Sequence, residues 1–123
     1  MIKSIFLLFL ISCSLFAYRV GDSVDSDILK KLDISSDKIT IIDFFASWCT
    51  SCKKEIPLIS EVNKTIDKTR VEIIGIDVDT SIKKAIKFQQ DLGKKLNFRV
   101  FNDTAKDVIS KFNPYGMPAL YYV

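Results

Sequence analysis

Residues 39–52 read ITIIDFFASWCTSC, from Ile39 to Cys52. The first eight, Ile39 to Ala46, are apolar and rich in β-branched and aromatic side chains. An unbroken run of this kind predicts a strand buried on both faces. Cys49 and Cys52 follow at once, and beyond them apolar residues fall at Ile56, Ile59, Val62 and Ile66. Those intervals of three and four predict a helix from about Thr50 to Lys68, with a kink at Pro57. The two cysteines therefore sit where a buried strand hands over to a helix.

The remaining chain alternates in the same way. Val71 to Val78 (VEIIGIDV) predicts a second buried strand. Ser81 to Leu92 predicts a helix that places Ile82, Ala85, Ile86 and Gln89 on one face and stops at Gly93. Phe98 to Phe101 is a short extended piece. Asp103 or Thr104 is suited to cap a helix running to Phe112. Residues 113–118 form a turn, and Ala119 to Val123 begins another strand. Upstream, Val24, Ile28, Leu29 and Leu32 suit a short helix or a cover for the sheet edge. The order β-α-β-α-β-α-β predicts an α/β sheet with helices on both faces. The last strand stops with no turn or helix after it, so the expectation is of an incomplete domain whose terminal edge is apolar.

Composition narrows the chemistry. At 123 residues the chain has room for one small domain. It contains no histidine, which excludes Ser-His-Asp and Cys-His catalysis, most zinc enzymes and haem held by histidine. The net charge is only +3, and the lysine pairs at 30–31, 53–54, 83–84 and 94–95 are interspersed with acids or apolar residues. They read as solvated helix faces, and no nucleic-acid partner is expected.

Met1 to Ala17 (MIKSIFLLFLISCSLFA) carries one lysine and then an apolar run too short to span a bilayer. It reads as a secretory leader. Three fates stay open. Leu10-Ile11-Ser12-Cys13 resembles a lipobox, which would put a lipid anchor on Cys13. Ala17 suits ordinary cleavage before Tyr18. An uncleaved anchor is the third. Each leaves a folded domain, 18–123, outside the cytoplasm, in the periplasm or on the outer face of a bacterial membrane.

With Cys13 in the leader, the domain keeps two cysteines, three residues apart. A bridge between them closes almost no loop, so a stapling role is poor. A structural zinc site would need four ligands, and no second pair exists. A redox pair remains. Cys49, at the helix N-terminus, has the setting for a stabilised thiolate and is the expected nucleophile. Cys52, one turn on and deeper, is the expected resolving thiol. Trp48 either shields one side of the pair or packs in the core. Asp43 interrupts the buried strand, and a desolvated acid under the helix start is expected to exchange protons with Cys52; an exposed acid on an edge strand is the other reading. A cis bond before Pro118 would leave the backbone of Met117 free to meet a substrate strand, although trans is the ordinary state of such bonds.

Taken together, residues 41–57 resemble the active-site segment of thioredoxin-fold proteins, and are most similar to the exported TlpA/ResA-like branch. The shared pattern is WCxxC followed by basic residues, Glu55 and Pro57. Val20-Gly21-Asp22, residues 74–79 and residues 115–119 resemble three further segments of that branch. The resemblance implies a thioredoxin fold with a central mixed sheet, truncated after the strand that follows a cis-proline. It implies Cys49 as nucleophile, Cys52 as resolver, Asp43 as buried acid and Pro118 as the cis-proline, with Trp48 and Met117 beside the substrate. It also implies protein thiols and disulfides as partners, a membrane electron donor, a role such as cytochrome c maturation, and no cofactor. The chain departs from the pattern in Thr50-Ser51, where a proline-containing pair is common, in Asp43, where many exported members carry Asn or Glu, and in the absence of a final strand and helix. A disulfide oxidant or isomerase, a peroxidase and a Cu(I)- or client-binding module are the competing readings. WCxxC and Pro57 weigh against the peroxidase.

Overall fold

The structure, a computed structural model, describes residues 17–123. The leader, Cys13 included, lies outside the described residues except for Ala17. Four helices and four strands follow in the order α1 Ser26–Lys31, β1 Ile39–Phe45, α2 Thr50–Thr65, β2 Val71–Asp77, α3 Ile82–Leu92, β3 Arg99–Asn102, α4 Asp107–Phe112 and β4 Ala119–Tyr122. A single 3₁₀ turn, Gly93–Lys95, links α3 to β3. The strands make one mixed sheet in the order β3-β2-β1-β4. β1 runs parallel to β2 and antiparallel to β4, and β2 runs parallel to β3. β1 is thus an inner strand, as its apolar run requires.

Strand side chains alternate between two cores, as a period of two dictates. Ile42, Phe44, Ile74 and Ile76 pack with Ile28 and Leu32 from the α1 region and with Val108 and Phe112 of α4. Phe45 and Ile73 pack on the other face with Cys49, Cys52 and Ile56 from the α2 segment and with Phe88 of α3. Each large side chain so buried contributes roughly 1.5–3 kcal/mol. Tyr18, Phe44 and Tyr121 surround the Phe112 ring at centroid distances of 4.9, 5.4 and 4.9 Å, which anchors α4 to the sheet.

Several helical expectations need correction. α2 contains Pro57 as expected and ends at Thr65 rather than Lys68. Asp67 instead makes a turn, its carboxylate accepting from the backbone N–H of Thr69 at 3.0 Å and from that residue's hydroxyl at 2.6 Å. The buried stripe of α2 is Cys52, Ile56, Ser60 and Asn63, while Val62 is exposed. Ser60 donates to the carbonyl of Lys95, and Asn63 to the carbonyl of Asn97, so hydrogen bonds replace apolar contact there. On α3 the buried residues are Ala85 and Phe88, and Ile82 and Ile86 face solvent. α4 starts at Asp107, later than a cap at Asp103 or Thr104 would allow. Asp103 nevertheless serves its N-terminus across a turn, accepting from the N–H groups of Val108 and Ile109 at 2.8–3.2 Å. Among the described residues no helix is long and apolar enough to cross a membrane.

Candidate active site

β1 ends at Phe45, and a tight turn carries the chain into α2. The N–H of Cys49 donates to the carbonyl of Ala46 at 3.1 Å. Cys49 itself is the N-cap of α2, with extended backbone, and its sulfur accepts from the N–H of Cys52 at 3.2 Å. The sulfur thus sits at the N-terminus of α2, where one otherwise unpaired first-turn N–H, that of Cys52, is satisfied by it. Cys49 and Cys52 are joined as a disulfide, with their Cα atoms 5.2 Å apart. Cys49 is 7% exposed and Cys52 0%, so one sulfur borders the surface and the other is enclosed.

Trp48 is 66% exposed, which rules out core packing and leaves its indole on the surface next to Cys49 in sequence. Met117 packs against the cluster that holds both cysteines, and the Met117–Pro118 peptide bond is cis. The packing of Met117 brings the turn after α4 against the core cluster that holds both cysteines, across more than sixty residues of chain.

Asp43 is 1% exposed on the inner strand, and its Oδ1 has no hydrogen-bond partner among the described residues. The exposed edge-strand reading is thus excluded. Strand alternation puts Asp43 on the face of Phe45, which is the face of α2. Burial pushes its carboxyl up to about 7, and the charge of Glu55 on α2 adds to the rise. Burial also raises Glu55. Two acids whose affinity for a proton is raised by burial accordingly lie near the enclosed cysteine's helix.

A second acidic group was not singled out from sequence. Asp79 accepts from the Ser47 N–H at 2.9 Å and from the Ser47 hydroxyl at 2.7 Å. Asp77 accepts from the N–H of Asp79 at 2.9 Å and from the Gln89 amide at 3.0 Å, and that amide also donates to Asn102 at 2.7 Å. Asp77 and Asp79 are buried. Their signal in the sequence was the pair of acids two apart at the end of an apolar strand. A groove of about 770 Å³ lined by Tyr18, Val20, Tyr115, Leu120 and Tyr122, among others, lies beside β4 and touches neither cysteine.

Residues 22–122 match the AhpC/TSA family. The chain is 27% identical over 96 residues to the thiol-disulfide oxidoreductase ResA of Bacillus subtilis (strain 168), which covers 76% of this chain and 52% of that protein. Among solved structures, a secreted Mycobacterium tuberculosis disulfide oxidoreductase homologous to E. coli DsbE superposes with a TM-score of 0.59 at 25% identity, over 70% of this chain and 61% of that one. StoA from Bacillus subtilis gives a TM-score of 0.64 at 20% identity, over 74% and 69%. The chain spans about half the length of the curated relatives it matches. The shared architecture is the thioredoxin fold.

Proposed function

The chain belongs to the AhpC/TSA family, in its TlpA/ResA-like branch, and from that premise we propose a thiol–disulfide oxidoreductase that reduces protein disulfides outside the cytoplasm. The observation that carries this is the asymmetry of the pair: Cys49 caps α2 and keeps a small exposed area, while Cys52, one turn on, has none. A cap position stabilises a thiolate, and enclosure keeps the second thiol for an internal partner.

The Cys49 thiolate attacks one sulfur of a client disulfide. A mixed disulfide forms, and the client's other sulfur leaves as a thiolate. Cys52 then loses its proton, for which the deprotonated Asp43 carboxylate on the same face of the sheet is the acceptor. The Cys52 thiolate attacks the Cys49 sulfur, the internal disulfide closes, and the client's second thiolate departs. Two electrons have passed to the client, and a dithiol donor must return them. Trp48 and the Met117–Pro118 segment flank the entry and are the client-facing residues.

Residues 1–17 support export of one thioredoxin-like domain, 18–123, with Cys13 as a lipid anchor or Ala17 as the cleavage point. A membrane-bound dithiol donor and a client in cytochrome c maturation fit that location. The test is the equilibrium potential of the Cys49–Cys52 pair in glutathione buffers. A value near about −270 mV supports the reducing direction, and one near about −120 mV would make the protein an oxidant. Failure to form a reversible disulfide would end the oxidoreductase reading and favour the metal-binding one.

A further inference from the structure

Ser47 lies between the end of β1 and Cys49, and its position decides where the turn delivers the thiol. The Ala46 carbonyl that receives the Cys49 N–H is adjacent to Ser47 in the chain. Ser47 is held by a carboxylate from the end of another strand, through both its N–H and its hydroxyl. That double grip is braced from behind. Asp77 holds the backbone of Asp79, Gln89 of α3 holds Asp77, and the same Gln89 amide reaches Asn102 of β3. The chain of contacts thus ties the ends of three parallel strands and one helix to the residue two before Cys49.

We infer that Asp79 is a positioning residue for disulfide exchange: braced by Asp77, its carboxylate clamps Ser47 and fixes the turn that sets Cys49 as the cap of α2. The inference rests on the oxidoreductase reading above. Charges agree with the geometry. Burial alone would raise Asp79, but hydrogen bonds from the Asp77 carboxyl and from Ser47, with the nearby Lys84 charge, outweigh it and keep Asp79 ionised. Burial raises Asp77 to about 6, so of the two acids Asp77 is the one that takes up a proton first as pH falls. An ionised acceptor on Ser47 is the stronger form of the clamp.

The clamp acts on the thiol through orientation. With Ser47 released, Cys49 loses its fixed place over the first-turn N–H groups, and its thiolate loses their stabilisation. A purely electrostatic role has the opposite sign, because removing a negative charge favours a thiolate.

The test uses the full chain, reduced, with the Cys49 thiol pKa read from the pH dependence of iodoacetamide alkylation and exchange measured against a disulfide-bonded protein. Asp79→Ala is expected to raise the thiol pKa by about one unit and slow exchange severalfold near neutral pH. Asp79→Asn keeps an acceptor for the Ser47 N–H and is expected to restore most of both. Ser47→Ala removes only the hydroxyl contact and is expected to shift the pKa in the same direction by less. Equal lowering of the pKa in Asp79→Ala and Asp79→Asn would overturn the clamp in favour of simple charge. A wild-type thiol pKa in Ser47→Ala and Asp79→Asn, with only a lower melting temperature, would overturn it in favour of scaffolding; these two variants decide the matter if Asp79→Ala does not fold. A wild-type protein that titrates as expected but exchanges no disulfide would overturn the functional reading, and with it the clamp's part in exchange.

Discussion

Asp43 and Gly75 are register partners across the two inner parallel strands, so the buried carboxyl stands beside a position without a side chain. The vacancy at Gly75 is filled from elsewhere. A Cβ there would come within 2.6 Å of Phe45 Cε1 and 2.9 Å of Phe98 Cε2. Two aromatic rings therefore close over the sheet next to the acid.

Gly75→Ala should force both rings aside, and Phe45 packs in the cluster that holds Cys49 and Cys52. The expected cost is about 1–3 kcal/mol, the range for overpacking a core. Urea unfolding should show a lower midpoint with an unchanged slope. A variant as stable as the wild type would mean that the rings have room to yield.

The raised Asp43 carboxyl makes stability depend on pH. In the oxidised protein the folded-state value is about 7, against an ordinary 3.8. The folded chain thus keeps a proton that the unfolded chain gives up. This contribution is fully present below the unfolded value and is lost as pH rises through about 7. Asp43→Asn, neutral throughout, should gain on the wild type between pH 4 and 8 by up to roughly 4 kcal/mol. Asp77 is present in both proteins and cancels. Parallel pH profiles would show that Asp43 is not a desolvated acid.

Asp103→Ala should free the N–H groups of Val108 and Ile109 at the start of α4. Losing such a cap costs about 0.5–2 kcal/mol. Amide exchange at those two residues should accelerate ahead of the rest of the sheet. Unaltered protection there would mean that packing of Phe112 alone holds the helix.

The proposed division of labour between the cysteines predicts opposite trapping behaviour. Cys52→Ser should accumulate a mixed disulfide between Cys49 and a disulfide-bonded protein, visible as an intact adduct by mass spectrometry. Cys49→Ser should form none, because Cys52 is enclosed. Equal adducts from both variants would reverse the assignment or show that the site opens widely.

What the sequence revealed depended on the range of the forces involved. The two inner strands and the strand-to-helix placement of the cysteines followed from apolar runs, which are local patterns, whereas the strand pairings are visible only in the folded sheet. The burial of Asp43 was legible for the same reason, since a single acid stood inside such a run. The stripe of α2 was misjudged because Ser60 and Asn63 are satisfied by backbone more than thirty residues away, and periodicity sees only apolarity. Asp77 and Asp79 read as the polar end of a strand, because Ser47, Gln89 and Asn102 reach them only once the sheet has formed. A cap at Asp103 or Thr104 was legible, but the left-handed Lys106 delays the helix, which Asp103 serves from across a turn.

The N–H of Cys52 donates to the sulfur of Cys49. Electron density on that sulfur rises when the disulfide opens to a thiolate, and the hydrogen bond strengthens with it. The backbone thereby carries its own indicator. A nitrogen–proton resonance at Cys52 should move with the electron content of the pair, with no label on either sulfur. The opening turn of α2 becomes firmer when the protein is loaded with electrons and slacker once they have been handed on.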